Sequence, residues 1–129
     1  MRYLTPLLII ALMTTHIGFA QEQGTFEIGF TVTSTDTSAP TTPTNLSASA
    51  VSASQINLSW SASTDNVAVT GYQVFRGLTQ IATATLTSYS DTGLAANTTY
   101  TYTVTAFDAA NNISARSATA TATTLPTPP

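Results

Sequence analysis

Asp65 and Asp108 are the residues of this 129-residue chain whose type and setting come nearest to supporting chemistry. Each lies in a short polar run, Thr64-Asp65-Asn66 and Asp108-Ala109-Ala110-Asn111-Asn112, between stretches rich in apolar residues. Two carboxylates brought together could divide acid and base roles, provided a cleft raised the pKa of one of them. With Asn66, Asn111 and Asn112 the same two offer hard oxygen ligands of the kind that hold Ca²⁺. The plainer reading is that Asp and Asn in tight loops bond their own backbone as Asx turns and need no metal. On that reading no catalytic residue, no cofactor and no metal ligand is expected, and added Ca²⁺ should leave stability unchanged.

The rest of the inventory narrows the field further. His16 is the one histidine, and Lys and Cys are both absent, which removes ammonium groups, thiol nucleophiles, thiolate metal sites and disulfides together. Only 7% of residues are charged, and Arg2, Arg76 and Arg116 cannot form the basic stripe that phosphate backbones require, so nucleic acid is excluded as a partner. The acids Glu22, Glu27, Asp36, Asp65, Asp91 and Asp108 are scattered rather than gathered in a tail. Asn-x-Ser/Thr triplets begin at Asn45, Asn57, Asn97 and Asn112, but in a chain so rich in Ser and Thr they carry no inference of glycosylation.

The elements that must position these residues begin after an address. Residues 1–20 read as a signal peptide: Arg2 precedes the apolar run Pro6 to Met13, and Gly18 and Ala20 bracket Phe19 as in a cleavage site. Cleavage there removes His16, sends the chain out of the cytoplasm to a secreted, extracellular or periplasmic destination, and leaves no stable membrane insertion. Residues 21–37 form a leader in which Phe26, Ile28, Phe30 and Val32 alternate with polar or small residues, an extra strand in want of a partner. Ser34 to Thr44, with Pro40 and Pro43, reads as a spacer, and Leu125 to Pro129 as the start of another.

Between the spacers the dominant period is two, the mark of strands with one face buried. Ile56, Leu58 and Trp60 alternate with Asn57, Ser59 and Ser61, and Tyr100, Tyr102, Val104 and Ala106 alternate with threonines. Further strands are expected at Leu46 to Val51, Val69 to Arg76, Gln80 to Thr85, Thr87 to Asp91 and Ser114 to Thr124. Seven short strands without a helical stripe predict an all-β, seven-stranded antiparallel sandwich of two sheets, immunoglobulin-like in plan. In such a sandwich Asp65 and Asp108 share one pole and Asp91 lies near the other.

Trp60, the run Gly71-Tyr72-Gln73-Val74-Phe75-Arg76, the Leu94 to Tyr100 spacing and the run Ala106 to Ser114 together resemble a fibronectin type III domain, over residues 38–124. The resemblance implies a tyrosine corner, in which the Tyr100 phenol bonds back to backbone a few residues upstream. Ala96 departs from the proline that the family often places two residues after the leucine. The run Ser63 to Tyr72 is similar to bacterial members found beside catalytic and carbohydrate-binding domains of secreted glycoside hydrolases. What this implies is a monomeric, non-catalytic spacer or interaction module, with an unidentified protein or polysaccharide as partner. The alternative is a carbohydrate-binding accessory module or a fragment of a polysaccharide-degrading enzyme. Some family members present Arg-Gly-Asp after the sixth strand; here Asp108 to Asn112 stands there, and Arg76-Gly77 is followed by Leu78 as a strand entering a turn. For sugar stacking, Trp60, Tyr72, Tyr89, Tyr100 and Tyr102 are expected to be buried, leaving Phe75 and Phe107 as the pair that could form a small exposed patch.

Overall fold

Alternating side chains and turn residues every eight to twelve positions produce strands where the period is two. The computed structural model describes residue 29 and residues 34–129. The signal-peptide reading of residues 1–20 and the extra strand at Phe26 to Val32 lie outside the described residues. The chain divides after Thr35, and the strands of the described residues fall in the unit Asp36–Pro129. They are β1 (Thr44–Ala50), β2 (Gln55–Ser61), β3 (Val69–Arg76), β4 (Thr79–Ala84), β5 (Ser88–Thr92), β6 (Thr99–Asp108) and β7 (Ala120–Thr123). All pairings are antiparallel, and they build one sheet in the order β1-β2-β5 and a second in the order β4-β3-β6-β7.

The core lies between the two sheets. Ile56, Leu58 and Trp60 from β2 face Tyr72 and Val74 from β3 and Tyr102, Val104 and Ala106 from β6, with Leu94 closing one end. A fully buried aliphatic or aromatic side chain of this kind stabilises by about 1.5–3 kcal/mol. Trp60 meets Tyr72 edge to face at 5.4 Å between ring centroids, and the Tyr72 hydroxyl accepts a hydrogen bond from the Ser63 amide at 3.0 Å. The tyrosine corner is present: the Tyr100 hydroxyl accepts from the Ala95 amide at 3.0 Å, so Ala96 in place of proline does not undo it.

Two stretches differ from the sequence expectation. The last strand is confined to Ala120–Thr123 instead of running from Ser114. Upstream of it, Ser114 and Ser117 still donate backbone amides to Ala106 and Val104, but their hydroxyls accept the amides of those same two residues. Side-chain oxygens thus replace strand carbonyls, and the regular ladder begins only at Ala120. The second difference is at the other end of the domain. Pro40 and Pro43 are buried, and Thr41 exchanges hydrogen bonds with Thr64, so the later half of the expected spacer packs along the sandwich.

Candidate metal centre

β2 and β3 are joined at one end of the sandwich by a loop holding Asp65, and β6 ends there at Asp108. The geometry of each loop follows from its acid. Asp65 Oδ2 accepts the amides of Val67 and Ala68 at 3.0 and 3.1 Å, the Asx turn expected from the sequence. Asp108 Oδ1 accepts the Asn112 amide at 2.9 Å and its Oδ2 accepts Asn112 Nδ2 at 2.7 Å. Asn111 takes a positive φ of 64° between them, a conformation that Asn tolerates better than most side chains.

The sequence reading placed Asp65 and Asp108 at one pole, and the structure does bring them together. It adds a third acid that the reading left in the spacer. Asp36, Asp65 and Asp108 each offer a carboxylate oxygen within 4.8 Å of the others. Asp36 is held by three contacts: its Oδ1 accepts the Ser38 amide and Asn66 Nδ2, both at 3.0 Å, and its carbonyl accepts Asn112 Nδ2 at 3.2 Å. Asn66 and Asn112 therefore join the cluster, whereas Asn111, also expected there, is exposed and contributes its turn geometry.

Carboxylates at this separation repel one another, and among the described residues no basic side chain offsets them. Both described arginines are engaged elsewhere, Arg76 with Asp91 and Arg116 over the Phe75 ring. Burial works to raise the Asp108 carboxyl, but the Asn112 side chain and backbone, the Ala110 backbone and the Asp36 side chain outweigh it and hold the group below the ordinary carboxylate value. That is the opposite of what a general acid needs, so paired-carboxylate hydrolysis finds no support in this geometry.

At the other pole Asp91 is buried and matched. Arg76 Nη1 donates to both of its oxygens, at 3.1 and 2.9 Å, and the Tyr102 hydroxyl donates to Oδ2 at 2.8 Å. This ties β5 of one sheet to β3 and β6 of the other. The hydrogen bond to Asp91 holds the Arg76 guanidinium above its ordinary value, and burial together with Asp91 pushes the Tyr102 phenol well above its own.

The model of the fibronectin type III domain matches residues 38–123. The chain belongs to the fibronectin type III family. Among curated relatives, exoglucanase B of Cellulomonas fimi is 57% identical over 96 residues, which make up 74% of this chain and 9% of that protein. Chitinase A1 of Niallia circulans is 57% identical over 82 residues, 64% of this chain and 12% of that protein. Among solved structures, an Fn3-like protein from Clostridium thermocellum is 36% identical with a TM-score of 0.60, covering 71% of this chain and 100% of that one. The chain thus spans about a tenth of the length of the two curated relatives.

The aromatic faces of this fibronectin type III domain are largely closed. Trp60 is 6% exposed, Tyr72 and Tyr102 are buried, and Tyr89 and Tyr100 are half-buried. Phe75 and Phe107 do lie on the outer face but do not form one patch. Phe75 stands opposite Thr103 and Phe107 opposite Gly71, with the Gln73–Thr105 pair between them. Four residues of ladder set the two positions about 13 Å apart along the strands. Arg116 covers one face of Phe75 with its guanidinium 3.9 Å from the ring centroid. The Phe107 ring lies on Gly71, where an added Cβ would come within 2.9 Å of it; only glycine leaves that room.

Proposed function

We propose that the chain is a non-catalytic spacer or interaction module of an exported polysaccharide-degrading enzyme. The observation that carries this reading is the match of one domain-sized segment to about a tenth of an exoglucanase and of a chitinase. In such a protein an accessory sandwich separates or presents neighbouring domains. The signal-peptide reading of residues 1–20 and the Pro-rich stretch Leu125 to Pro129 agree with export and with attachment to a further domain. The chain acts as a monomer and supplies no chemistry of its own.

The carbohydrate-binding reading needs flat aromatic faces open to solvent, and the closed rings described above do not provide them. Pull-down of the chain on insoluble chitin, cellulose and xylan separates the two. The spacer reading expects the chain in the supernatant with all three. Retention that disappears in a Phe75→Ala, Phe107→Ala double variant with an unchanged melt would instead establish a carbohydrate-binding module.

A further inference from the structure

The loop end of the sandwich holds an oxygen that the protein itself does not satisfy. Asp65 Oδ1 has less than 1 Å² exposed and accepts no hydrogen bond, while Oδ2 of the same carboxylate is turned to its own loop. A carboxylate oxygen sealed from solvent without a donor is costly, and folded proteins keep few such atoms without a strain, redox or ion-binding reason. Here a reason is at hand, because the Asp65 carboxylate also supplies an oxygen to a triangle with oxygens of Asp36 and Asp108 whose sides are at most 4.8 Å. The positive ends of two amides, Asn66 Nδ2 on Asp36 and Asn112 Nδ2 on Asp108, are turned toward the same carboxylates, as a cation would be.

We propose that Asp36, Asp65 and Asp108 form a calcium site that fastens the segment entering the sandwich to the β2–β3 and β6–β7 loops. The donor set is oxygen throughout, which selects a hard cation over zinc or copper. Ca²⁺ takes six to eight oxygens in flexible arrangements, whereas Mg²⁺ demands a tight octahedron and keeps its waters. Three carboxylates from three separate stretches of chain, with amide oxygens made available by rotation of Asn66 and Asn112, suit the looser ion. Affinity belongs to the weaker, extracellular class, a dissociation constant on the order of 10⁻⁴ M, because all three carboxylates are already engaged by backbone amides close to them in the chain. The inference departs from the expectation that calcium is irrelevant, which rested on two carboxylates and omitted Asp36. It stands or falls independently of the accessory-module reading.

The test is calorimetric titration of the chain with CaCl₂ and with MgCl₂, beside thermal melts in about 10 mM of each salt and in chelator. One Ca²⁺ per chain and a melting temperature raised by at least about 5 °C are expected, with a much smaller response to Mg²⁺. Asp36→Asn should weaken Ca²⁺ binding at least about tenfold, since it removes one charged ligand from the exposed edge of the site. Asp36→Arg supplies a cation from the protein itself. It should melt higher than the wild type in chelator and no longer respond to Ca²⁺, a gain that a merely structural role for Asp36 does not produce. No binding heat, or a calcium shift that persists unchanged in both variants, overturns the proposal.

Discussion

The two poles of this sandwich treat their carboxylates in opposite ways. At one, Asp91 is shut between the sheets and answered on the spot by Arg76 and the Tyr102 hydroxyl. At the other, Asp36, Asp65 and Asp108 converge with amides, rather than an arginine, set against them among the described residues. A chain with 7% charged residues does not accumulate acids by default, so each arrangement calls for its own account. The Asp91 cluster closes its own charge and works as an inter-sheet tie. The triad leaves charge open, as the proposed calcium site requires. The difference shows that burial of an acid is not by itself a sign of function; what surrounds the charge decides.

The largest expected effect is at the closed pole. Asp91→Ala removes the bidentate partner of Arg76 and leaves the Tyr102 hydroxyl buried without an acceptor, at a cost of about 2–4 kcal/mol, reduced from the fully buried case because Arg76 is partly exposed. Asp36→Asn, measured beside it in chelator, should be neutral or slightly stabilising because it relieves repulsion. Urea melts of the two variants decide the comparison. Equal destabilisation would mean that both poles are structural ties and that the distinction fails.

Alkaline pH sharpens the same contrast through Tyr102. Its folded pKa lies above the unfolded value of about 10, so the folded chain holds the phenolic proton after the unfolded chain has released it. The stabilising contribution is complete below about pH 10 and is lost as pH rises toward the folded value, by at most about 1.4 kcal/mol per pH unit. Urea midpoints taken from pH 8 to pH 11 should fall more steeply in the wild type than in Tyr102→Phe. Parallel curves would show that the phenol is neither sealed from water nor tied to Asp91 as described.

The strands were legible because their signal is local. Val69 to Arg76 was bounded correctly from its pattern and the turn residues on either side, and Trp60, Tyr72 and Tyr102 were placed inward by alternation. The Leu94 to Tyr100 spacing located the corner that the Ala95 amide and Tyr100 hydroxyl make. What sequence could not supply was contact between elements without a period. Asp36 sits among Ser, Thr and Pro, where nothing reports that the chain turns back to lie beside Asn66 and Asn112, 30 and 76 residues away. The two prolines, each fixing φ, were the one hint that this stretch runs extended against the domain. The bond from Arg76 to Asp91 joins two sheets and depends on their stacking, which strand patterns do not specify. Phe75 and Phe107 were correctly set on the outer face, but their separation depends on the β3–β6 register.

Ionic strength gives the smallest effect and bears most directly on what distinguishes the poles. Salt screens charges that water can reach, over a Debye length of about 10 Å at 0.1 M, and hardly touches pairs that are hydrogen-bonded and desolvated. Asp36 is half-buried at the edge of the triad, so its repulsion with Asp65 and Asp108 is partly open to screening, whereas Asp91 is 4% exposed and bonded on both oxygens. Raising NaCl from about 0.02 to 0.5 M in chelator should therefore stabilise the wild type through the triad, while the matched pair loses little. The rise expected in melting temperature is about 1–2 °C, a fraction of a kcal/mol for a domain of this size. Sodium also raises surface tension and favours compact states generally, so the wild type alone proves nothing. Asp36→Asn separates the two contributions, because it keeps the general salt effect and removes most of the screened repulsion. A smaller salt response in Asp36→Asn than in the wild type is the expected outcome, and identical responses would show that the three carboxylates do not sense one another.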